Sequence, residues 1–125
     1  MPKSETDTRR VRVRDAMQLE HDSWRYLVVW EFEVRPGCES EFENVYGSTG
    51  DWVRLFRTAN GFVRTELTRK AGRPRHYATL DFWRSEEAYE EFRRHHQEEY
   101  AAIDRRCEGL TEHEVELGRL ERVGE

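Results

Sequence analysis

His76 is the side chain best suited to acid–base work. A neutral imidazole near pH 7 can take a proton from an acidic phenol or enol. His95 and His96 form a doublet. On a helix, adjacent residues point about 100° apart, so at most one can enter a common cleft. The doublet has no His four residues away and no Glu-x-x-His register, so the spacing does not describe a metal site. Glu31, Glu33 and Asp81 are read as sharing one sheet face. Neighbouring carboxylates raise one another's pKa, so they could supply an acid–base pair or meet arginines of a second subunit. The Arg-Arg pairs at 93/94 and 105/106, interleaved with Glu, read as solvated helix faces. Cys38 and Cys107 fit neither a CxxC nor a mixed His/Cys ligand spacing and read as reduced thiols.

These residues need a scaffold, and the hydrophobic patterning supplies one. Trp24–Val34 is rich in aromatic and β-branched residues and predicts a strand. Its even positions from Tyr26 to Val34 are all apolar, whereas its odd positions turn polar at Glu31 and Glu33. Pro36-Gly37 ends it. Residues 39–58 predict a helix broken at Gly47-Ser48-Thr49-Gly50, with Phe42, Val45 and Tyr46 before the break and Trp52, Leu55 and Phe56 after it. Phe62–Arg69 and His76–Trp83 alternate as strands joined by a Gly-Pro-containing loop. In the second of them, His76, Ala78, Leu80 and Phe82 face one way, and Tyr77, Thr79, Asp81 and Trp83 the other. Ser85 caps a long helix expected to run to about Arg106, with acidic Glu86 and Glu87 in its first turn. Thr111–Leu120 predicts a fourth strand with His113, Val115 and Leu117 on one side.

The order is βαββαβ once the broken helix counts as one element. That is an α+β, ferredoxin-like pattern with one antiparallel four-stranded sheet. Helices on one side leave the other sheet face open. That face is read as Leu27, Val29, Tyr77 and Trp83 among Glu31, Glu33, Thr79 and Asp81. Such a mixture predicts a homodimer, sheet against sheet. Residues 1–23 read as a polar, flexible extension, 24–120 as the folded domain and 121–125 as a tail.

Composition narrows the function classes. Charged residues make up 38 % of the 125, yet four Trp, five Tyr and six Phe are enough to anchor a core. A net charge of −5 lacks the basic footprint of a nucleic-acid binder. The nineteen Arg against two Lys carry no functional weight alone. No apolar run approaches the roughly 20 residues that span a bilayer, and the N-terminus lacks a secretory h-region. A cytoplasmic protein is therefore expected, with neither nucleic acid nor membrane as partner.

The strings VVWEFEVRPGCESEFENVYGSTGDWVRLF, GFVRTEL, RHYATLDFWRSEEAYEEFR and EEYAAIDRRCEGLTEHEVELG resemble the antibiotic biosynthesis monooxygenase (ABM) domain over about Tyr26–Leu120. The resemblance implies a dimeric α/β barrel. It also implies a cofactor-independent monooxygenase that oxidises a small aromatic substrate (a phenol, quinol or polyketide) with O2, using no metal or flavin. A non-oxidative cyclase or isomerase of the same fold, and a non-catalytic dimeric ligand-binding module, are the alternatives. The haem-degrading relatives need an Asn, a Trp and a His where this chain has Glu31, Phe92 and about Ala102. The resemblance further implies a cleft between the sheet and its helices. Trp30, Phe32, Trp52, Tyr89, Phe92 and His96 would line it and bind the substrate. His76 would be the catalytic base and Tyr46 the donor to the developing oxyanion.

Overall fold

A computed structural model of the chain describes residues 23–124. The expected extension at 1–23 falls, apart from Ser23, outside the described residues. Four strands and four helices follow in the order β1 (Tyr26–Val34), α1 (Glu39–Tyr46), α2 (Asp51–Phe56), β2 (Phe62–Arg69), β3 (His76–Trp83), α3 (Glu86–His95), α4 (Gln97–Cys107) and β4 (Thr111–Glu121). The strands form one antiparallel sheet in the order β2-β3-β1-β4. This is the ferredoxin-like arrangement, and the helices cover one face.

The break between α1 and α2 is dictated by Gly50. A Cβ there would run into the backbone carbonyls of Asn44 and Val45, so only glycine lets the chain turn back this tightly. At the other end of the core, a Cβ on Gly61 would collide with Ala88, so glycine lets the start of β2 lie directly against α3. Ser85 caps α3 as expected, its hydroxyl accepting the Ala88 N–H at 3.0 Å.

Two expectations are corrected. The single long helix is two helices, broken at His96, whose φ of −126° and ψ of 33° leave the helical region. The His96 ring stacks on Phe92 at 5.1 Å, and its Nδ1 lies 3.3 Å from Glu99. The break lets Phe92 stay in the core against Phe56 and Trp83 while Tyr100, one helix later, reaches Trp52.

The second correction concerns the faces of β3. The register pairs Phe32 with Tyr77, Trp30 with Thr79, Val28 with Asp81 and Tyr26 with Trp83. Directly opposed residues of an antiparallel pair point to the same side. Tyr77, Thr79, Asp81 and Trp83 therefore face the helices with the even residues of β1. Trp83 is fully buried at the centre of Phe56, Phe62, Tyr89 and Phe92. The open face carries His76, Ala78, Leu80 and Phe82, beside Leu27, Val29, Glu31 and Glu33. Alternation alone could not choose, because both faces of β3 hold large apolar residues.

Among the described residues, no helix is long and apolar enough to cross a membrane.

Candidate functional site

A cleft of about 360 Å³ opens between the helix-facing side of the sheet and α1, α2 and α4. Its size falls within the range of small-molecule sites, roughly 300–1,000 Å³. The side chains reach it for simple reasons. Trp30 and Phe32 are even residues of β1, and their rings lie 6.4 Å apart in a stacked arrangement. Tyr46 is the last residue of α1 and Trp52 the second of α2, so the glycine break holds them side by side at 6.1 Å. Tyr100 of α4 meets Trp52 edge-on at 4.8 Å. Phe56 closes the floor, and Arg93, Asp104, Glu114, Glu116 and Arg119 form the charged rim.

The polar groups of the cleft differ in what they can do. Tyr46 is 6 % exposed, and burial, reinforced by the neighbouring Cys107 and Glu114, pushes its pKa far above the usual phenol range. It therefore keeps its proton and can act only as a donor or a neutral acceptor. The Trp52 indole N–H is buried beside the Tyr46 hydroxyl and the Cys107 thiol without forming a well-aligned hydrogen bond among the described residues. A buried donor without one costs about 1–3 kcal/mol. In the same corner, Cys107 has its thiol pKa raised by burial, so it stays a thiol. Glu114 is the partner of Phe32 across the β1–β4 pair and stands at the exposed mouth. Loss of hydration against the cleft wall, then Asp104 and Glu108, raises its pKa above the ordinary carboxylate value. Arg119 is held by Glu116 at 2.9 Å and Glu90 at 3.4 Å.

The structure thus brings Trp30, Phe32, Tyr46 and Trp52 together as expected. It does not bring the other four to them. His76 stands on the opposite face of the sheet, with Nε2 3.0 Å from Arg73 and 4.0 Å from Glu33. Its placement in the cleft is corrected by the β3 register. Tyr89 is buried between Tyr26 and Trp83. Phe92 is 2 % exposed within the core. His96 lines a separate hollow with His95, Glu91 and Arg84. The carboxylate trio also separates, since Asp81 faces the helices while Glu31 and Glu33 do not. Asp81 is buried and accepts one hydrogen bond from the Thr65 hydroxyl at 2.7 Å. Burial lifts its pKa to about 7.

Sequence reasoning missed Arg93, Tyr100, Asp104 and Glu114. Tyr100 had a usable signal, because it shares a helix face with Ile103 and Cys107, both buried. Glu114 had one too, since placing Val115 on the open face puts its neighbours on the other.

The strand order and covered face define a ferredoxin-like α+β domain with a cleft under its helices. The chain matches the antibiotic biosynthesis monooxygenase family over residues 25–105 and belongs to it. No curated protein matches it. Solved structures of the same fold include SnoaB from Streptomyces nogalater, described as a cofactor-independent oxygenase. It is 21 % identical with a TM-score of 0.63, covering 82 % of this chain and 96 % of that one. PA3566 from Pseudomonas aeruginosa is 18 % identical with a TM-score of 0.60, covering 83 % and 99 %. A conserved protein from Methanosarcina mazei is 14 % identical with a TM-score of 0.61, covering 82 % and 97 %.

Proposed function

We propose that the protein is a cytoplasmic, cofactor-independent monooxygenase of secondary metabolism that oxidises a small phenolic, quinol-type or polyketide-like aromatic with O2. The observation that carries this reading is the aromatic-walled cleft of about 360 Å³ with a carboxylate of raised pKa at its mouth. A cavity of that size also speaks against a plugged, non-catalytic module.

The base is Glu114 rather than His76. A substrate CH2 activated by a phenol–ketone system loses a proton to the Glu114 carboxylate. The resulting carbanion passes one electron to O2, and the radical pair combines to form a C–O bond. The peroxide then loses water to leave C=O, so CH2 and O2 become C=O and H2O. Tyr46, which cannot ionise, donates to the oxygen on which charge develops. Trp30, Phe32 and Trp52 hold the flat ring system and exclude water. Two copies pair through their open sheet faces, where Val115 and Leu120 are about half exposed.

The test is oxygen uptake by purified protein across a panel of anthrones and quinols, with product quantified. Uptake matched one-to-one to a new carbonyl, and lost in Glu114→Gln, supports the reading. Turnover without uptake replaces it with a cyclase or isomerase.

A further inference from the structure

Arg93 is the cation of the cleft that has no carboxylate partner among the described residues. Its Nη1 donates to the Tyr89 hydroxyl at 3.1 Å, and its guanidinium lies 4.0 Å above the centroid of the Tyr100 ring. Both contacts fix the group's position without neutralising it. The neighbouring Arg119 is different, being gripped through two nitrogens by Glu116 and through a third by Glu90. None of the ion pairs among the described residues involves Arg93, Asp104 or Glu114. The cleft therefore has a cation without a counter-ion and two carboxylates without one, and these do not pair with each other across it. Trp30, Trp52 and Tyr100 line the same cleft and suit a flat ring system.

We infer that Arg93 anchors a carboxylate of the substrate, so that the ligand of this cleft is a hydroxylated aromatic acid held with its acidic group on Arg93 and its ionisable position toward Glu114. A held guanidinium presents parallel N–H donors that match the two oxygens of a planar carboxylate, which a lysine cannot do. Stacking on Tyr100 places that fork beside the aromatic wall, where a ring-bound carboxylate would lie in the plane of its ring. Asp104 and Glu114 repel the same anion, so the ligand is oriented by repulsion at one end as well as attraction at the other. The orientation delivers the end that carries the acidic C–H to the base. This inference rests on the oxygenase reading for the role of Glu114, but the anchor itself is a statement about binding.

The experiment is equilibrium binding of two matched probes, hydroxynaphthoate and naphthol, followed by quenching of the tryptophan fluorescence to which Trp30 and Trp52 contribute. The carboxylated probe is expected to bind on the order of 10–100-fold more tightly. Arg93→Met should erase most of that difference and leave naphthol within about 2-fold, while Arg93→Lys restores only part of it. Arg57→Met, outside the cleft, should leave the preference intact. High salt on the unmodified protein should weaken hydroxynaphthoate selectively, which tests the anchor even if the Arg93 variants fold poorly. Equal affinity for the two probes overturns the inference, as does equal weakening of both by Arg93→Met or no binding of either. Clear preference for the acid with no substrate that consumes oxygen overturns the oxygenase reading and leaves the anchor standing.

Discussion

The two faces of the sheet share the same four strands and have opposite characters. Toward the helices, β1 and β3 present Tyr26, Val28, Phe32, Tyr77 and Trp83, all below 5 % exposure. Toward the open side they present Leu27, Val29, Glu31, Glu33 and His76, joined by Val115 and Leu120 of β4 at about half exposure. The first face is closed by intramolecular aromatic packing and opens only at the cleft. The second is a mixture of apolar and paired charged groups, most of them only half-buried, that the described helices do not cover. Part of it is already covered, since Trp24 packs edge-on against Phe82 at 5.1 Å and Arg64 lies 4.0 Å over the same ring. The contrast underlies the proposal that chemistry belongs to one face and association to the other. A titratable residue gains catalytic meaning from the face its strand parity selects.

The largest expected effect separates a base on the helix side from a histidine on the open side. Glu114→Gln should lower the rate of oxygen-dependent turnover by about 10²–10⁴-fold, the usual contribution of a general base. His76→Gln should change it by less than about 3-fold. Rates measured under matched substrate would break the comparison if the two variants exchanged roles.

Next comes the packing of the helix side. Trp83 is fully buried and touches Phe56, Phe62, Tyr89 and Phe92. Trp83→Ala should cost about 3–5 kcal/mol in chemical unfolding. Leu120→Asp on the open face should cost less than about 1 kcal/mol in a single chain, and its main effect should be on mass. If sheet pairing makes a dimer, sedimentation of this variant should return the mass of one chain. An unchanged mass would remove the open face from the assembly.

Much of the scaffold was legible because its signals are local. Aromatic alternation marked β1, Gly50 marked the turn that sets Tyr46 beside Trp52, and Ser85 marked the start of α3. The long-range facts were not. Which face of β3 turns inward depends on its register against β1, and His76 was misplaced for that reason alone. The break at His96 carries no proline or glycine, and stacking of its ring on Phe92 is visible only in three dimensions. Arg93 sits in an Arg-Arg pair whose composition resembles any solvated helix, so only its contacts with Tyr89 and Tyr100 distinguish it from Arg94.

Asp81 sharpens the comparison through pH. It is the buried carboxylate of the helix side, 8 % exposed, and its pKa in the folded state is about 7 against an unfolded value near 3.8. The native state therefore holds a proton that the unfolded chain has released between those two values. Stability falls as pH rises through that window, and it is flat below the unfolded pKa, where both states are protonated. A shift of that size amounts to roughly 4 kcal/mol as an upper bound. Asp81→Asn keeps the shape and an acceptor for the Thr65 hydroxyl but removes the charge. Its melting temperature should exceed that of the unmodified protein at pH 8 and approach it at pH 4. Equal stabilisation at both pH values would mean that the carboxylate is hydrated in solution and that this side is less closed than its packing indicates.

The smallest expected difference compares two polar contacts a single residue apart. Tyr77, inward, donates its hydroxyl to Glu43 Oε2 at 2.5 Å. His76, outward, stands 4.0 Å from Glu33 in a cluster that also holds Arg73 and Arg75. Tyr77→Phe removes a hydrogen bond to a charged acceptor and should cost about 1–2 kcal/mol. His76→Ala removes a long, partly exposed contact and should cost about 0–0.5 kcal/mol in a single chain, as surface ion pairs do. Both values come from one denaturant series run at low protein concentration. Repeating the His76 measurement at high concentration turns it into a probe of the open face. A second copy laid over Glu33 and His76 would dehydrate both groups, and the cost of His76→Ala would then rise with concentration. A cost that stays flat places the contact between copies elsewhere on the sheet, nearer Val115 and Leu120 than His76.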